Sequence, residues 1–122
     1  MQKQVLVIED EPNIAEAIKF ILSRDGWTVE THDDGETAVD AVLDAVPDVL
    51  VLDVMLPGRS GFDILQDLRA NQKTRRLPVL MLTARGQRTD RERAEGLGVN
   101  QFMTKPFSNS EVLRVLNDLV GA

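Results

Sequence analysis

Five side chains in this sequence could do chemistry together: Glu9, Asp10, Asp53, Thr83 and Lys105. Three of them are carboxylates. If they share one cleft they repel one another, so either one takes up a proton at a raised pKa or a cation sits among them. The chain has no cysteine and a single histidine, which leaves an oxygen-only donor set. Such a set suits a hard ion, Mg²⁺ (or Mn²⁺) before zinc. A carboxylate beside that cation, with a lysine and a threonine hydroxyl nearby, is a site for accepting a phosphoryl group. Asp53 is then the nucleophile and forms an acyl phosphate. Lys105 offsets charge on the phosphoryl oxygens, and Thr83 donates a hydrogen bond to one of them.

That chemistry requires elements that deliver all five residues to one place. Asp53 ends the run Val49 to Leu52, four apolar residues closed by Pro57-Gly58. A short apolar run ended by a turn predicts a strand buried on both faces. Val5 to Ile8, ending in Glu9-Asp10-Glu11, reads the same way, as does Val79 to Leu82, ending in Thr83-Ala84-Arg85-Gly86. Trp27 to His32 alternates in polarity and Gln101 to Thr104 is mixed, so both are expected to be edge strands. Between the strands, Ile14, Ala17, Ile18, Ile21 and Leu22 follow helical spacing. Pro12 suits the first turn of that helix and Gly26 its left-handed end. Ala38, Ala41, Val42 and Ala45 mark a second helix face, and Ile64, Leu65 and Leu68 a third. Gln87 to Leu97 predicts a polar fourth helix anchored mainly by Ala94 and Leu97, and Val112, Leu113, Leu116 and Leu119 a fifth. Ser60 with Asp63, and Ser108 with Glu111, are spaced as N-terminal capping pairs.

Five strands alternating with five helices predict an α/β, doubly wound (βα)5 sandwich whose parallel sheet is covered on both faces. Three central and two edge strands fit the order 2-1-3-4-5. In that order Glu9, Asp10 and Asp53 converge at the switch point, and Thr83 and Lys105 reach the same edge.

Composition narrows the function. The 122 residues predict one domain spanning 1–122, with 43% hydrophobic and 28% charged residues. A net charge of −6 argues against direct nucleic-acid binding by this domain. No apolar run approaches a membrane span, and Met1 to Gln4 leads into a strand with no signal-peptide pattern, so a cytoplasmic protein is expected.

The motifs, taken in order, carry a resemblance. Val7-Ile8-Glu9-Asp10, Val51-Leu52-Asp53 with Met55-Leu56-Pro57-Gly58, Leu82-Thr83-Ala84, and Phe102 followed by Lys105-Pro106-Phe107 resemble the receiver domain of two-component response regulators over essentially the whole chain. The resemblance implies a flavodoxin-like fold and Asp53 as the phosphoacceptor. The donor would be a phosphohistidine on a sensor histidine kinase or phosphotransfer protein. It implies Mg²⁺ held by Asp10, Asp53 and the main-chain carbonyl of Met55, with Glu9 acting through water. It implies a cis Lys105-Pro106 bond. It also implies a switch in which Thr83 moves toward the phosphoryl group, Phe102 turns inward, and the surface of the fourth helix, fifth strand and fifth helix changes for an output domain or partner. Homodimerisation on phosphorylation is common in such regulators. Here Asn100-Gln101 stands where many members carry acids, which weakens one known dimer mode. Met55 and Arg85, each two residues past a site residue, point to slow self-dephosphorylation: methionine cannot orient an attacking water and a long arginine can screen one.

Other readings have less support. No site position is degenerate, as a receiver that never takes phosphate would show. An aspartyl-nucleophile phosphatase would carry a second acid two residues after Asp53, where this chain has Met55. A flavin or dinucleotide site would need a Ser/Thr/Gly-rich loop after the first strand, and Glu9-Asp10-Glu11 would repel phosphate. His32 is expected to be an exposed edge-strand residue, Trp27 to be strand packing, and the arginines at 85, 88, 91 and 93 to form a solvated face.

Overall fold

In a computed structural model that describes residues 3–84 and 86–121, the chain alternates strand and helix throughout. The order is β1 (Gln4–Ile8), α1 (Pro12–Arg24), β2 (Thr28–His32), α2 (Ala38–Ala45), β3 (Val49–Asp53), α3 (Gly61–Ala70), β4 (Val79–Thr83), α4 (Arg88–Gly96), β5 (Gln101–Thr104) and α5 (Asn109–Leu119). All strand pairs are parallel and the sheet order is β2-β1-β3-β4-β5. The doubly wound reading from the sequence therefore holds, including which strands lie at the edges.

The reason is visible residue by residue. All five residues of β3 and all five of β4 are buried, as the unbroken apolar runs require. Alternate side chains go to opposite faces of the sheet. Leu6, Ile8, Leu50, Leu52, Val79 and Met81 pack with Ala38, Val42, Leu65, Leu68 and Ala94 from α2, α3 and α4. Val5, Val7, Val49, Val51, Leu80 and Leu82 pack with Ile18, Leu22, Val112 and Leu116 from α1 and α5. Each fully buried Leu, Ile or Val contributes about 1.5–3 kcal/mol of transfer free energy. Truncating Leu52 to Ala would cost roughly 2–5 kcal/mol.

Helix ends follow their local chemistry. Pro12 opens α1, and Gly26 follows its end at φ +93°. Ser60 and Ser108 cap α3 and α5 by accepting from the Asp63 and Glu111 amides at 3.3 and 3.1 Å. α4 has Ala94 as its buried residue and is the most lightly anchored helix. Two details differ from the sequence reading. β2 begins at Thr28, while Trp27 precedes it and is buried in the core at 4% exposure. Thr74, within the polar stretch Asn71 to Arg76, is nonetheless buried, and its hydroxyl donates to the Leu68 carbonyl at 2.6 Å.

Candidate functional site

Strand register builds the site one step at a time. Ile8 pairs with Leu52, so the next residues, Glu9 and Asp53, leave the sheet side by side. Asp53 pairs with Leu82, so Thr83 lies one residue further along. Thr83 pairs with Thr104, so Lys105 lies one further again, and its amide donates to the Thr83 carbonyl at 2.7 Å. Parallel pairing of buried strands thus brings Glu9, Asp10, Asp53, Thr83 and Lys105 to one edge. The Lys105–Pro106 peptide bond is cis.

The ammonium of Lys105 is 2.7 Å from Glu9 Oε1, 3.4 Å from Asp53 Oδ2 and 3.7 Å from Glu11 Oε1. Glu11 is a partner the sequence did not single out. Glu9 and Asp53 are each 2% exposed, and Thr83 is 1% exposed. Burial pushes the Asp53 carboxyl up to about 7, and its hydrogen bond to Glu9 and the charge of Glu9 push the same way. Lys105 and the Met55 amide, 3.4 Å from Asp53 Oδ1, pull less strongly downward. Burial also raises Glu9, but hydrogen bonds from Asp53, Lys105 and the Glu11 amide outweigh it and hold Glu9 below the ordinary carboxylate range. Burial and the neighbouring Glu9 raise Asp10. For Lys105, burial is overcome by Glu9 and Asp53, and its pKa rises. A raised Asp53 beside a lowered Glu9, with Lys105 as the nearby cation, marks a site in which negative charge outweighs positive.

Carboxylate oxygens of Glu9, Asp10 and Asp53 lie within 4.8 Å of one another. That donor set fits a hard divalent cation: oxygen only, two members buried, and a raised pKa that a cation would reverse. Beside it, an acidic cleft of about 290 Å³ is lined by Glu9, Asp10, Glu16, His32 and Asp33 among others. This cleft lies toward α1 and β2, and neither Asp53 nor Lys105 lines it.

Several expectations need correction. His32 is not a plain exposed residue: it is half-buried, with Nε2 2.7 Å from the Thr37 hydroxyl, because the loop after β2 folds back over the strand end. Phe102 is already buried at 5% exposure, with the Arg91 guanidinium 5.0 Å from its ring centroid. Arg88, Arg91 and Arg93 are all exposed, as a solvated face requires; Arg88 pairs with Glu92, and Arg93 also lies over the Phe62 ring, 4.4 Å from its centroid. Arg85 lies outside the described residues. Met55 is 58% exposed at the mouth of the site.

The sequence also gave no hint of Arg69, whose guanidinium donates to the Gly98 and Thr74 carbonyls and to Asn100 Oδ1 at 3.0, 3.1 and 3.0 Å. Burial lowers its pKa. Asn100 Oδ1 also accepts from the Val79 amide at 2.9 Å, so this side chain closes the sheet between β4 and β5.

Comparison with known proteins agrees with this geometry. The family model described as response regulator receiver domain matches residues 5–117. The chain is 40% identical over 113 residues to the phosphate regulon transcriptional regulatory protein PhoB of Escherichia coli, covering 93% of this chain and 49% of that protein. It thus spans about half the length of the curated relatives it matches. A receiver domain of a sensor histidine kinase from Pseudomonas aeruginosa superposes with a TM-score of 0.91 at 30% identity over the full length of both chains. That protein has a magnesium ion coordinated in its active site cleft. The chemotaxis response regulator CheY4 of Vibrio cholerae superposes at 0.90 with 27% identity, over 98% of this chain and 99% of that one.

Proposed function

Because this chain belongs to the response regulator receiver domain family of two-component systems, we propose that residues 1–122 form one receiver domain in which Asp53 is the phosphoacceptor. The donor is the phosphohistidine of a sensor histidine kinase or phosphotransfer protein. The observation that carries the reading is the placement of Lys105 Nζ, 2.7 Å from Glu9 and 3.4 Å from Asp53, at the rim of a three-carboxylate cluster.

In this mechanism an Asp53 carboxylate oxygen attacks phosphorus in line. The phosphorus–nitrogen bond to the donor imidazole breaks, and the imidazole keeps the electron pair. Asp10, Asp53 and the Met55 main-chain carbonyl would hold Mg²⁺, with Glu9 acting through water, and the bound ion would supply positive charge beside Asp53 and the phosphoryl oxygens. Lys105, already poised between Glu9 and Asp53, pairs with one of those oxygens. Thr83 donates its hydroxyl to another. Burial of Asp53 keeps bulk water from the acyl phosphate. Met55, exposed beside the site, and Arg85, two residues past Thr83 in sequence, slow hydrolysis, so the domain promotes its own phosphorylation and a slow dephosphorylation rather than turnover of a separate substrate.

Thr83 and the surface of α4, β5 and α5 carry the switch to an output domain or partner protein. With Phe102 already inside, the change falls on α4, whose single buried anchor makes it the element least costly to move. By likeness to the transcriptional regulators above, the output is control of transcription by a further domain, from a cytoplasmic protein; this domain, at net charge −6, does not itself hold DNA. No helix among the described residues is long and apolar enough to cross a membrane. Homodimerisation on phosphorylation is part of the proposal. Arg91 and Arg93 already cover aromatic rings and Asn100 is committed to Arg69 and Val79, so charge pairing across α4 and β5 is a minor contribution to it.

The test is intact-mass measurement after incubation with acetyl phosphate and Mg²⁺. One phosphoryl adduct in the wild type, absent in Asp53→Asn and lost on chelation, is expected. An adduct that survives in Asp53→Asn overturns the assignment.

A further inference from the structure

Two loops meet beside the acidic cluster, and a glycine makes the contact. Gly35 is not among the glycines with positive φ, which are Gly26, Gly58, Gly98 and Gly121. Its φ lies outside the left-handed region, so what position 35 requires is room. The Gly35 amide donates to the Pro57 carbonyl at 2.9 Å. A Cβ there would stand 2.4 Å from the Arg59 carbonyl oxygen, 2.7 Å from that of Pro57 and 2.8 Å from the Arg59 nitrogen. All three are main-chain atoms, which cannot rotate aside as a side chain would.

We propose that Gly35 is a positioning residue for the cation site. It sets the height of residues 54–60, and through them the Met55 carbonyl assigned above to Mg²⁺. The inference rests on that magnesium reading and extends it to a loop that touches no ligand.

The segment it supports has no slack. At its far end the Gly61 amide donates to the Val54 carbonyl at 2.8 Å, and a Cβ on Gly61 would stand 2.3 Å from the Asp53 carbonyl oxygen. Arg59 pairs with Asp67 of α3 and reaches the Asp63 carbonyl at 3.4 Å. Gly58, at φ +84°, packs against the Glu36 side chain. A push on Pro57–Arg59 is therefore blocked toward α3 and returns along residues 54–57. The loop that pushes is also braced. Asp34 accepts from the Glu36 amide and from the Thr37 hydroxyl, both at 3.2 Å, and Thr37 meets His32 Nε2 at 2.7 Å. The His32 carbonyl accepts the Glu9 amide at 2.9 Å. Residues 32–37 thus form a strut from the Glu9 backbone to the Pro57 backbone, joining two segments that carry cation ligands.

Mg²⁺ titration of the metal-free protein by calorimetry tests this, with the Met55 amide resonance as a second readout. Gly35→Ala should raise the Mg²⁺ dissociation constant about tenfold or more and shift the Met55 resonance. Thr37→Val, which loosens the brace without adding bulk, should raise it about threefold. Gly26→Ala is the control: it strains a positive-φ backbone with nothing within 4 Å of the new Cβ. It should lower the melting temperature and leave Mg²⁺ affinity unchanged. A folded Gly35→Ala protein with wild-type affinity overturns the inference. If Gly35→Ala does not fold, wild-type affinity in Thr37→Val overturns it. If the wild type itself binds no Mg²⁺, the functional reading fails and this inference fails with it.

Discussion

Asp53→Asn should stabilise the metal-free protein at neutral and alkaline pH, although it removes the residue on which the function depends. The folded-state carboxyl sits at about 7, well above its ordinary value of 3.8, raised first by burial and then by Glu9. At about 1.36 kcal/mol per unit, ionised Asp53 costs the fold up to about 4 kcal/mol. Glu9 shifts the opposite way within the same pair and offsets part of that cost, so the net penalty is smaller. Asparagine keeps an oxygen for the Met55 amide and can turn its NH₂ toward Glu9, so it inherits the contacts without the charge. For a chain of this size each kcal/mol recovered raises the melting temperature by about 3–5 °C, so a rise of several degrees is expected.

The sign fixes the pH window. Between about pH 4 and 7 the folded protein holds a proton on Asp53 that the unfolded chain has released. Wild-type stability therefore falls as pH rises from about 4 to 7 and flattens above it. The asparagine variant lacks this dependence. The gap between the two proteins should be largest at pH 8 and shrink to about a third of that at pH 5. Mg²⁺ stabilises the folded state by mass action, so saturating Mg²⁺ should narrow the gap by raising the wild type more. Scanning calorimetry with and without chelator measures all of this. An asparagine variant that melts below the wild type at pH 8 in chelator, or a gap that ignores pH, would refute the account of Asp53 as a buried carboxylate short of positive charge.

Three further outcomes follow from the same contacts. Lys105→Met removes the cation 2.7 Å from Glu9 and 3.4 Å from Asp53, so Mg²⁺ should bind more tightly while phosphoryl uptake from acetyl phosphate falls at least about tenfold; looser Mg²⁺ binding would contradict this. Arg69→Met strips donors from the Gly98 and Thr74 carbonyls and from Asn100, and should cost about 2–3 kcal/mol in urea unfolding; a loss under about 0.5 kcal/mol would show that water replaces the guanidinium freely. Met55→Asn places a side chain able to orient water at an exposed position beside Asp53, and should shorten the lifetime of the phosphorylated form; an unchanged or longer lifetime, followed by loss of the mass adduct, would remove Met55 from that role.

What the sequence revealed and what it hid divide along a physical line. Strand order and the shared edge of Glu9, Asp53, Thr83 and Lys105 were legible because they follow from unbroken apolar runs and from parallel pairing, in which one residue's position fixes its neighbour's. The Ser60 and Ser108 caps were legible because capping is local. Arg69 was not, since its acceptors are two carbonyls and an amide that no residue type announces. Phe102 was read as mobile because its motif carries a resemblance but not a rotamer; the Arg91 stack that covers it joins residues eleven apart, on two elements. Gly35 follows two aspartates, a composition that fits any turn, and only the approach of Pro57 and Arg59 from another loop gives it a different reason to be glycine. Chemistry carried by a side chain's type is written in the sequence. Chemistry carried by main-chain atoms brought close by the fold is not: the proposed Met55 carbonyl came only through the motif resemblance, and the Gly35 strut behind it through no residue-type signal at all.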